Sequence, residues 1–384
     1  MTSVWLHPAW LYRAAVTALT VPLVACSSSE EVPATPTPAT PIHQAPATTD
    51  PAPRVTDTVA SGLDTPWGLA FLPDGSALVT ERDSGRVLGI GADRQIREVA
   101  TIADTVAQGE SGLLGIAVSP TFDTDRFVFL YVTTPSDNQI LRATYDGLTL
   151  TDQQVILGGI PAARVHDGGR LQFGPDGMLY AATGEAGNRS LAQDPASLGG
   201  KILRVTMDGE PAPGNPDPNS PVYSLGHRNV QGLAFDDEGR LWASEFGQND
   251  VDELNEIVAG GNYGWPEVEG SSGNDDGGGD EYIDPVVTWP VAQASPSGIA
   301  HDDGNLWMAS LRGERLWRIG IADSGIADFS TTEFFTGEYG RLRTVVTAPD
   351  GSLWLTTSNR DGRGEPADDD DRILRIENPS LESP

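Results

Sequence analysis

The chain has 384 residues, of which 38% are hydrophobic, enough for one large all-β domain or for two ordinary domains. Its formal net charge is −31, with 55 acidic residues against 24 basic ones. Such an acidic surface repels phosphate backbones and excludes nucleic acid as a partner. The 44 glycines and 29 prolines favour turns over long helices. The charge is typical of a solubilising surface, and carboxylates gathered at cation sites are the alternative.

The first 26 residues have the pattern of an export signal. The apolar run Ala14–Ala25 follows Arg13 and is too short to span a bilayer. It ends in Leu23-Val24-Ala25-Cys26, which resembles a bacterial lipobox whose cysteine thiol receives a diacylglycerol. A buried or incidental cysteine is the alternative. We therefore expect an exported protein, lipid-anchored to the outer face of the bacterial cytoplasmic membrane, at the cell surface or in the periplasm.

Composition divides the rest of the chain. We predict a lipoprotein signal peptide over 1–26, a Pro/Thr/Ala-rich tether over 27–54, a folded domain over 55–378 and a tail over 379–384. The tether lacks apolar periodicity, so we expect it to be extended.

One motif repeats six times within the predicted domain. Each copy is an apolar alternating run, a turn that is mostly of the Pro-Asp-Gly type, and a second alternating run rich in Leu, Trp and Thr. The copies lie at 66–81, 114–132, 170–185, 231–245, 297–310 and 343–357. Each run predicts a strand, and each turn closes a hairpin. The repetition predicts an all-β, six-bladed β-propeller of four-stranded antiparallel blades, whose connecting loops meet on one face.

Two of these loops carry candidate ligand-binding groups. The loop 244–255 contains Asp250, Asp252 and Glu253, hard oxygen donors that suit Ca²⁺, although a solvated acidic loop explains them equally well. Arg228 and Asn229 follow a glycine and could present a guanidinium and an amide to an anionic planar ligand. A surface ion pair is the alternative there.

Two further motifs suggest catalysis. In the segment 164–170, His166 and Asp167 precede two glycines, a pattern that could give a general base oriented by a carboxylate. Arg341 and Arg343 alternate on a strand, where one could line the channel while the other braces it. A histidine base, several arginines and a cation loop together fit quinone chemistry, in which an alcohol loses a proton and a hydride.

Four motifs in the chain resemble those of pyrroloquinoline quinone (PQQ)-dependent soluble glucose and aldose sugar dehydrogenases. They are Gly109–Gly115, His166–Arg170, Gly226–Leu233 and Gly260–Pro266. The resemblance extends in order from about Leu63 to Ile376. It implies oxidation of the C1 hydroxyl of an aldose to a lactone, with PQQ and Ca²⁺ as cofactors.

The resemblance also implies roles for individual residues. His166 is similar to the catalytic base, Asp167 to a neighbour that holds the sugar or the imidazole, and Arg228 to a group near the reacting carbonyl. The resemblance implies cofactor binding by Glu110, Arg228, Asn229, Arg312, Arg341 and Arg343. It implies metal binding by the backbone carbonyls of Gly247 and Gln248 and by a further pair, Glu253 and Tyr263.

Three positions depart from the family pattern. Glu110 stands where the glucose enzymes have a glutamine, Arg312 where they have a lysine, and Gln248 where they have a proline. Glu110 adds negative charge near an anionic ligand unless it is protonated or paired with an arginine. The chain also lacks the long substrate loops of the glucose enzymes, which favours broad aldose specificity. The expected partners are an aldose and a respiratory quinone or other electron acceptor. A calcium-dependent propeller lactonase and a non-catalytic carbohydrate- or protein-binding propeller are the alternatives.

Overall fold

The computed structural model describes residues 52–272, 282–321 and 329–377. The predicted signal peptide, residues 27–51 of the predicted tether and the predicted tail lie outside these residues. Within the described ranges, no helix is both long and apolar enough to cross a membrane.

Six four-stranded antiparallel sheets form the blades, which confirms the predicted fold class. Strands are numbered in chain order. The innermost strands are β2 (Pro66–Phe71), β6 (Leu113–Val118), β10 (Leu171–Phe173), β14 (Val230–Phe235), β18 (Pro296–Asp302) and β22 (Leu342–Thr347). The second strands are β3 (Ala77–Glu81), β7 (Phe127–Thr133), β11 (Leu179–Ala182), β15 (Leu241–Glu245), β19 (Asn305–Ser310) and β23 (Leu353–Thr357). The third strands are β4 (Arg86–Ile90), β8 (Asn138–Tyr145), β12 (Lys201–Val205), β16 (Val251–Ile257), β20 (Arg315–Gly320) and β24 (Ile373–Glu377). The outermost strands are β5 (Ile96–Thr101), β9 (Leu150–Ile160), β13 (Val222–Leu225), β17 (Val287–Pro290), β21 (Thr331–Phe334) and β1 (Arg54–Ala60).

The ring closes through strand β1. It pairs with β24 and so completes the sixth blade, whose other three strands come from the end of the domain. Each innermost strand contacts the innermost strands of its two neighbours, and β22 contacts β2. The first residue of β1 is Arg54, one residue before the predicted domain boundary. Because β1 is paired with β24, the first strand of the domain is not left as an unpaired strand at the point where the ring closes.

The core lies between neighbouring blades rather than inside any one sheet. Its largest fully buried side chains include Trp67, Trp242 and Trp307. Polar side chains also join adjacent blades, because Thr80 Oγ1 donates to the Leu114 carbonyl at 2.5 Å and Thr344 Oγ1 donates to the Trp67 carbonyl at 2.6 Å. Short helices occur only as α1 (Phe122–Asp125) and a 3-10 turn (Arg189–Leu191) within the described residues.

Candidate active site

The starts of the innermost strands lie on the same face as the turns between second and third strands, because neighbouring strands in a blade are antiparallel. We call this the site face. Five of the six innermost strands have a register shift near their start, the exception being β10. A bulge re-aims side chains at the end of a strand, and the predicted site residues cluster at these starts.

A cavity at the site face is lined by four arginines and two carboxylates. We call it the arginine cavity, and its lining is Arg82, Gly109, Glu110, Gln231, Phe246, Leu311, Arg341, Arg343, Asp361 and Arg363. Because guanidinium groups outnumber carboxylates by two, the cavity favours an anionic ligand.

Arg341 and Arg343 converge on one carboxylate. Nε and Nη2 of Arg341 donate to Oδ2 of Asp361 at 2.9 Å each, and Nη2 of Arg343 reaches the same oxygen at 3.4 Å. Side chains two residues apart on a strand lie on the same face, so the two guanidinium groups can share this partner. Burial lowers the pKa of Arg343 to about 9, whereas Arg343 and Arg341 together outweigh burial and hold the pKa of Asp361 below its ordinary value.

Glu110 connects three other groups of the site. Its Oε2 accepts the backbone N–H of His166 at 2.9 Å and the side-chain amide of Asn229 at 3.4 Å. Its Oε1 accepts a hydrogen bond from Nη2 of Arg363 at 3.1 Å. The unfavourable charge expected from Glu110 is therefore paired with an arginine.

His166 has the geometry of a general base with one open nitrogen. Its Nδ1 lies 2.9 Å from Oε1 of Glu185, close enough for an ion pair but without the alignment of a hydrogen bond. No hydrogen bond involves Nε2 within the described residues, and the side chain is 16% exposed. The backbone takes the left-handed region at φ 60°, uncommon outside glycine, and its carbonyl accepts the N–H of Ala186.

Asp167 does not orient the His166 ring, so this part of its predicted role is wrong. Its Oδ1 accepts the side-chain amide of Asn138 at 3.0 Å and the N–H of Ala163 at 3.1 Å, and its Oδ2 accepts the Ser111 hydroxyl at 3.2 Å. Consecutive residues around a left-handed turn send their side chains apart, and Glu185 takes the place beside the imidazole. Burial raises the pKa of Asp167 to about 6.

Arg228 and Asn229 both belong to the site face. Nη1 of Arg228 donates to the Phe246 carbonyl at 3.2 Å, but its buried Nε has no hydrogen-bond partner. Burial lowers the pKa of Arg228. Asn229 is fully buried, and its Oδ1 accepts the N–H of Gly168 at 3.0 Å. An unpartnered buried donor is costly, so Nε of Arg228 favours a ligand that supplies an acceptor.

The predicted calcium loop is shorter than expected. Residues from Val251 onward belong to strand β16, where Glu253 pairs with Glu245 of β15, so the prediction of a loop over 244–255 is wrong for its second half. The alternation that marks a strand was hidden by its acidic residues. Asp252 braces the remaining turn by accepting the N–H of Gly247 at 3.0 Å.

The carbonyls of Gly247 and Gln248 are free to bind a cation. The N–H groups of Gln248 and Asn249 donate to Oε1 of Glu269 at 2.6 and 2.9 Å. Because the C=O of a trans peptide points opposite to its N–H, the carbonyls of Gly247 and Gln248 face away from Glu269. No hydrogen bond to either oxygen occurs among the described residues. This arrangement fits the hard oxygen ligands that Ca²⁺ prefers.

Glu253 and Tyr263 meet in a second small cavity. They line it with Arg228, Glu245, Phe246, Gly247, Trp265, Val268 and Glu269. The Tyr263 hydroxyl donates to the Glu256 carbonyl at 2.6 Å, so its phenol is already engaged. Burial and the nearby Glu245 raise the pKa of Glu253 to about 8. Within the part of the chain described, no group of three or more His, Cys, Asp or Glu side chains is arranged to hold a metal.

Of the predicted cofactor ligands, Glu110, Arg341 and Arg343 line the arginine cavity, Arg228 lines the second cavity, and Asn229 contacts Glu110. Arg312 lines neither cavity. Its side chain is exposed and makes no hydrogen bond or ion pair within the described ranges, whereas its neighbour Leu311 lines the arginine cavity. Sequence reasoning missed several residues that the structure does place at the site, namely Arg82, Glu185, Gln231, Glu269, Asp361 and Arg363. All of them except Gln231 lie outside the four motifs. Gln231 lies within the motif Gly226–Leu233, where it is also an ordinary strand residue.

Fold and site together define a six-bladed β-propeller that carries a histidine and an arginine-lined cavity on one face. The sequence model of the glucose/sorbosone dehydrogenase family matches residues 63–374. The chain therefore belongs to the glucose/sorbosone dehydrogenase family, as its motifs predict.

Known relatives are quinoprotein sugar dehydrogenases, which are oxidoreductases. The PQQ-bound aldose sugar dehydrogenase of Streptomyces coelicolor is 53% identical, with a TM-score of 0.81 over 85% of this chain and 98% of that one. Aldose sugar dehydrogenase YliI of Escherichia coli is 29% identical over 78% of this chain and 89% of its own. Quinoprotein glucose dehydrogenase B of Acinetobacter calcoaceticus is 35% identical over 55% of this chain and 52% of its own.

Proposed function

We propose that the chain is a PQQ- and calcium-dependent aldose dehydrogenase that oxidises the C1 hydroxyl of an aldose to a lactone. The observation that carries the proposal is the link through Glu110. Its carboxylate joins the backbone of His166, the amide of Asn229 and the guanidinium of Arg363 at the arginine cavity. A base for the sugar and a cavity for an anionic cofactor thereby share one face.

The residues present fit an anionic quinone. Arg341, Arg343 and Arg363 supply positive charge around the cavity, and the unpartnered Nε of Arg228 is a donor without an acceptor. Asn229 adds an amide at the same face. These groups would hold the cofactor by its carboxylates and carbonyls.

Calcium fits the turn at Gly247 and Gln248, whose carbonyls face away from Glu269. When bound, the quinone would supply the hydride acceptor for C1, and a calcium ion held by these carbonyls would supply Lewis acidity at the cofactor. Glu253 and Tyr263 are the proposed second calcium pair, and the Tyr263 phenol is bonded elsewhere, so its backbone carbonyl is the available ligand.

His166 takes the proton of the C1 hydroxyl. Nε2 is its open nitrogen, and the carboxylate of Glu185 beside Nδ1 stabilises the imidazolium that forms. Asp167 acts through the backbone, since its three hydrogen bonds fix the turn that presents His166.

The sequence also supports a proposal for the cellular location of this reaction. The lipobox-like segment ending at Cys26 supports export and lipid anchoring at the outer face of the bacterial cytoplasmic membrane. Electrons would pass to a respiratory quinone or another acceptor.

Reconstitution tests the proposal against its alternatives. The purified chain is mixed with PQQ and Ca²⁺, and dye reduction is followed with several aldoses. We expect reduction that requires both cofactors and collapses in His166→Gln. Lactone hydrolysis without quinone would instead support the lactonase, and binding of sugar without any turnover would support the non-catalytic propeller.

A further inference from the structure

The central channel ends in a cavity on the face opposite the site. Its volume is about 360 Å³, and it is lined by the far halves of all six innermost strands. The walls include Phe71, Val118, Phe173 and Phe235, and Arg170 lies among the lining residues as their only arginine. We call this space the channel cavity.

The Arg170 side chain reaches across the channel. The residue belongs to the third blade, yet its Nε donates to the Gln231 carbonyl of the fourth blade at 2.8 Å, and its Nη2 donates to Thr344 Oγ1 of the sixth at 3.0 Å. Its guanidinium also lies 4.4 Å from the ring centroid of Trp67 in the first blade. Arg170 therefore closes the channel between the arginine cavity and the channel cavity.

One nitrogen of this buried group has no partner. Nη1 makes no hydrogen bond within the described residues, although Arg170 is only 7% exposed. Arg170 lines the channel cavity, so a ligand in that cavity can approach this residue. A guanidinium N–H without an acceptor in the described chain is available to donate to such a ligand.

The positive charge of Arg170 also lacks a counter-charge. No carboxylate of the described chain forms an ion pair with it, and the charge that acts on it most is the cation of Arg343. Burial lowers its pKa to about 9. Asp361 neutralises Arg343 and Arg341 but makes no contact with Arg170. A buried charge is normally paired, so the missing anion is expected from outside the chain.

We propose that the channel cavity binds a small monovalent anion, a halide or a short carboxylate, on Nη1 of Arg170. This site is separate from the arginine cavity because Arg170 lies between the two.

Bromide is the probe for this site. Crystals of the full chain are soaked in sodium bromide, and anomalous diffraction locates the bromine atoms. We expect a bromine peak in the channel cavity beside Arg170, and soaking with added acetate will remove that peak if carboxylates compete for the site and leave it if halides are preferred. Bromine peaks elsewhere with only water beside Arg170 would overturn the proposal.

A solution measurement uses variants. At constant ionic strength, replacing sulfate by bromide should lower the melting temperature less in the unmodified chain and in Arg54→Gln, which removes an exposed arginine, than in Arg170→Gln. An equal bromide effect in Arg170→Gln would contradict the site, and the diffraction result on the unmodified chain decides the question if that variant does not fold.

Discussion

Nδ1 of His166 lies 2.9 Å from Oε1 of Glu185, and the two side chains are 16% and 2% exposed. The partner of the proposed base thus comes from the segment after β11 and not from the adjacent Asp167. Glu185, and not Asp167, is therefore the carboxylate whose removal should lower the turnover number.

We predict that Glu185→Gln lowers the turnover number by about tenfold to a hundredfold, because the imidazolium loses its counter-charge. The quinone dissociation constant should change by a smaller factor than the turnover number, since Glu185 does not line the arginine cavity. Glu185→Asp, which keeps the charge, should recover part of the turnover. Glu238→Gln, at a surface turn, is the matched control. Full turnover in Glu185→Gln would remove this residue from the mechanism.

Glu110 gives a prediction about cofactor affinity. Glu110→Gln removes one negative charge from the arginine cavity and releases Arg363. Quinone binding should tighten by about threefold to tenfold, as expected for a partly exposed charge interaction on the order of 1 kcal/mol. Arg363→Gln should weaken binding by a smaller factor because this side chain is 55% exposed. Calorimetric titration measures both, and weaker binding by Glu110→Gln would contradict the role assigned to the pair.

Asp167 gives a prediction about pH. Burial raises its pKa from 3.8 to about 6, so the folded chain holds this proton more tightly than the unfolded chain. The stabilisation is present below pH 3.8 and is lost as the pH rises to about 6. Between pH 4 and pH 7, the unfolding free energy of Asp167→Asn relative to the unmodified chain should therefore rise by about 2 kcal/mol.

Urea denaturation at the two pH values measures this difference. Asp123→Asn, at an exposed position, is the control and should show no comparable trend. A constant difference between Asp167→Asn and the unmodified chain across this range would show that the Asp167 carboxyl is not perturbed as described.

A substitution at Gln248 distinguishes the contribution of its backbone carbonyl to calcium binding from that of its side chain. Gln248→Ala keeps the carbonyl that faces away from Glu269, so the calcium concentration for half-maximal activity should change by less than about threefold. Glu269→Ala removes the carboxylate that accepts the N–H of Gln248 at 2.6 Å and should weaken calcium binding more strongly. Calcium titration after chelation measures both. Unchanged calcium dependence in Glu269→Ala would show that Glu269 does not orient the turn.

The sequence predicts the fold well because hairpin repeats are local. Alternating runs and Asp-Gly turns mark the first two strands of each blade without knowledge of distant contacts. The third strand of the fourth blade was not predicted because Asp252 and Glu253 interrupt its apolar pattern. Closure by β1 pairs residues more than 300 positions apart, as Thr56 and Arg375 show, and no local signal reports such a pair.

The site is less predictable, for the same reason. Motifs located His166, Arg228 and Asn229, but the contacts that define their environment come from other blades. Asp361 accepts hydrogen bonds from both Arg341 and Arg343, but it lies in the loop after β23, and no motif near those arginines indicates this pairing.

The most direct test of the central claim follows the oxidised carbon itself. The reconstituted chain is incubated with PQQ, Ca²⁺, a dye and an aldose labelled with carbon-13 at C1, and the products are examined by carbon-13 NMR. We predict that the label moves from the anomeric signal to that of a lactone or aldonate carbonyl, only when the quinone is present. Dye reduction with the label still anomeric, or carbonyl formation without quinone, would contradict the account.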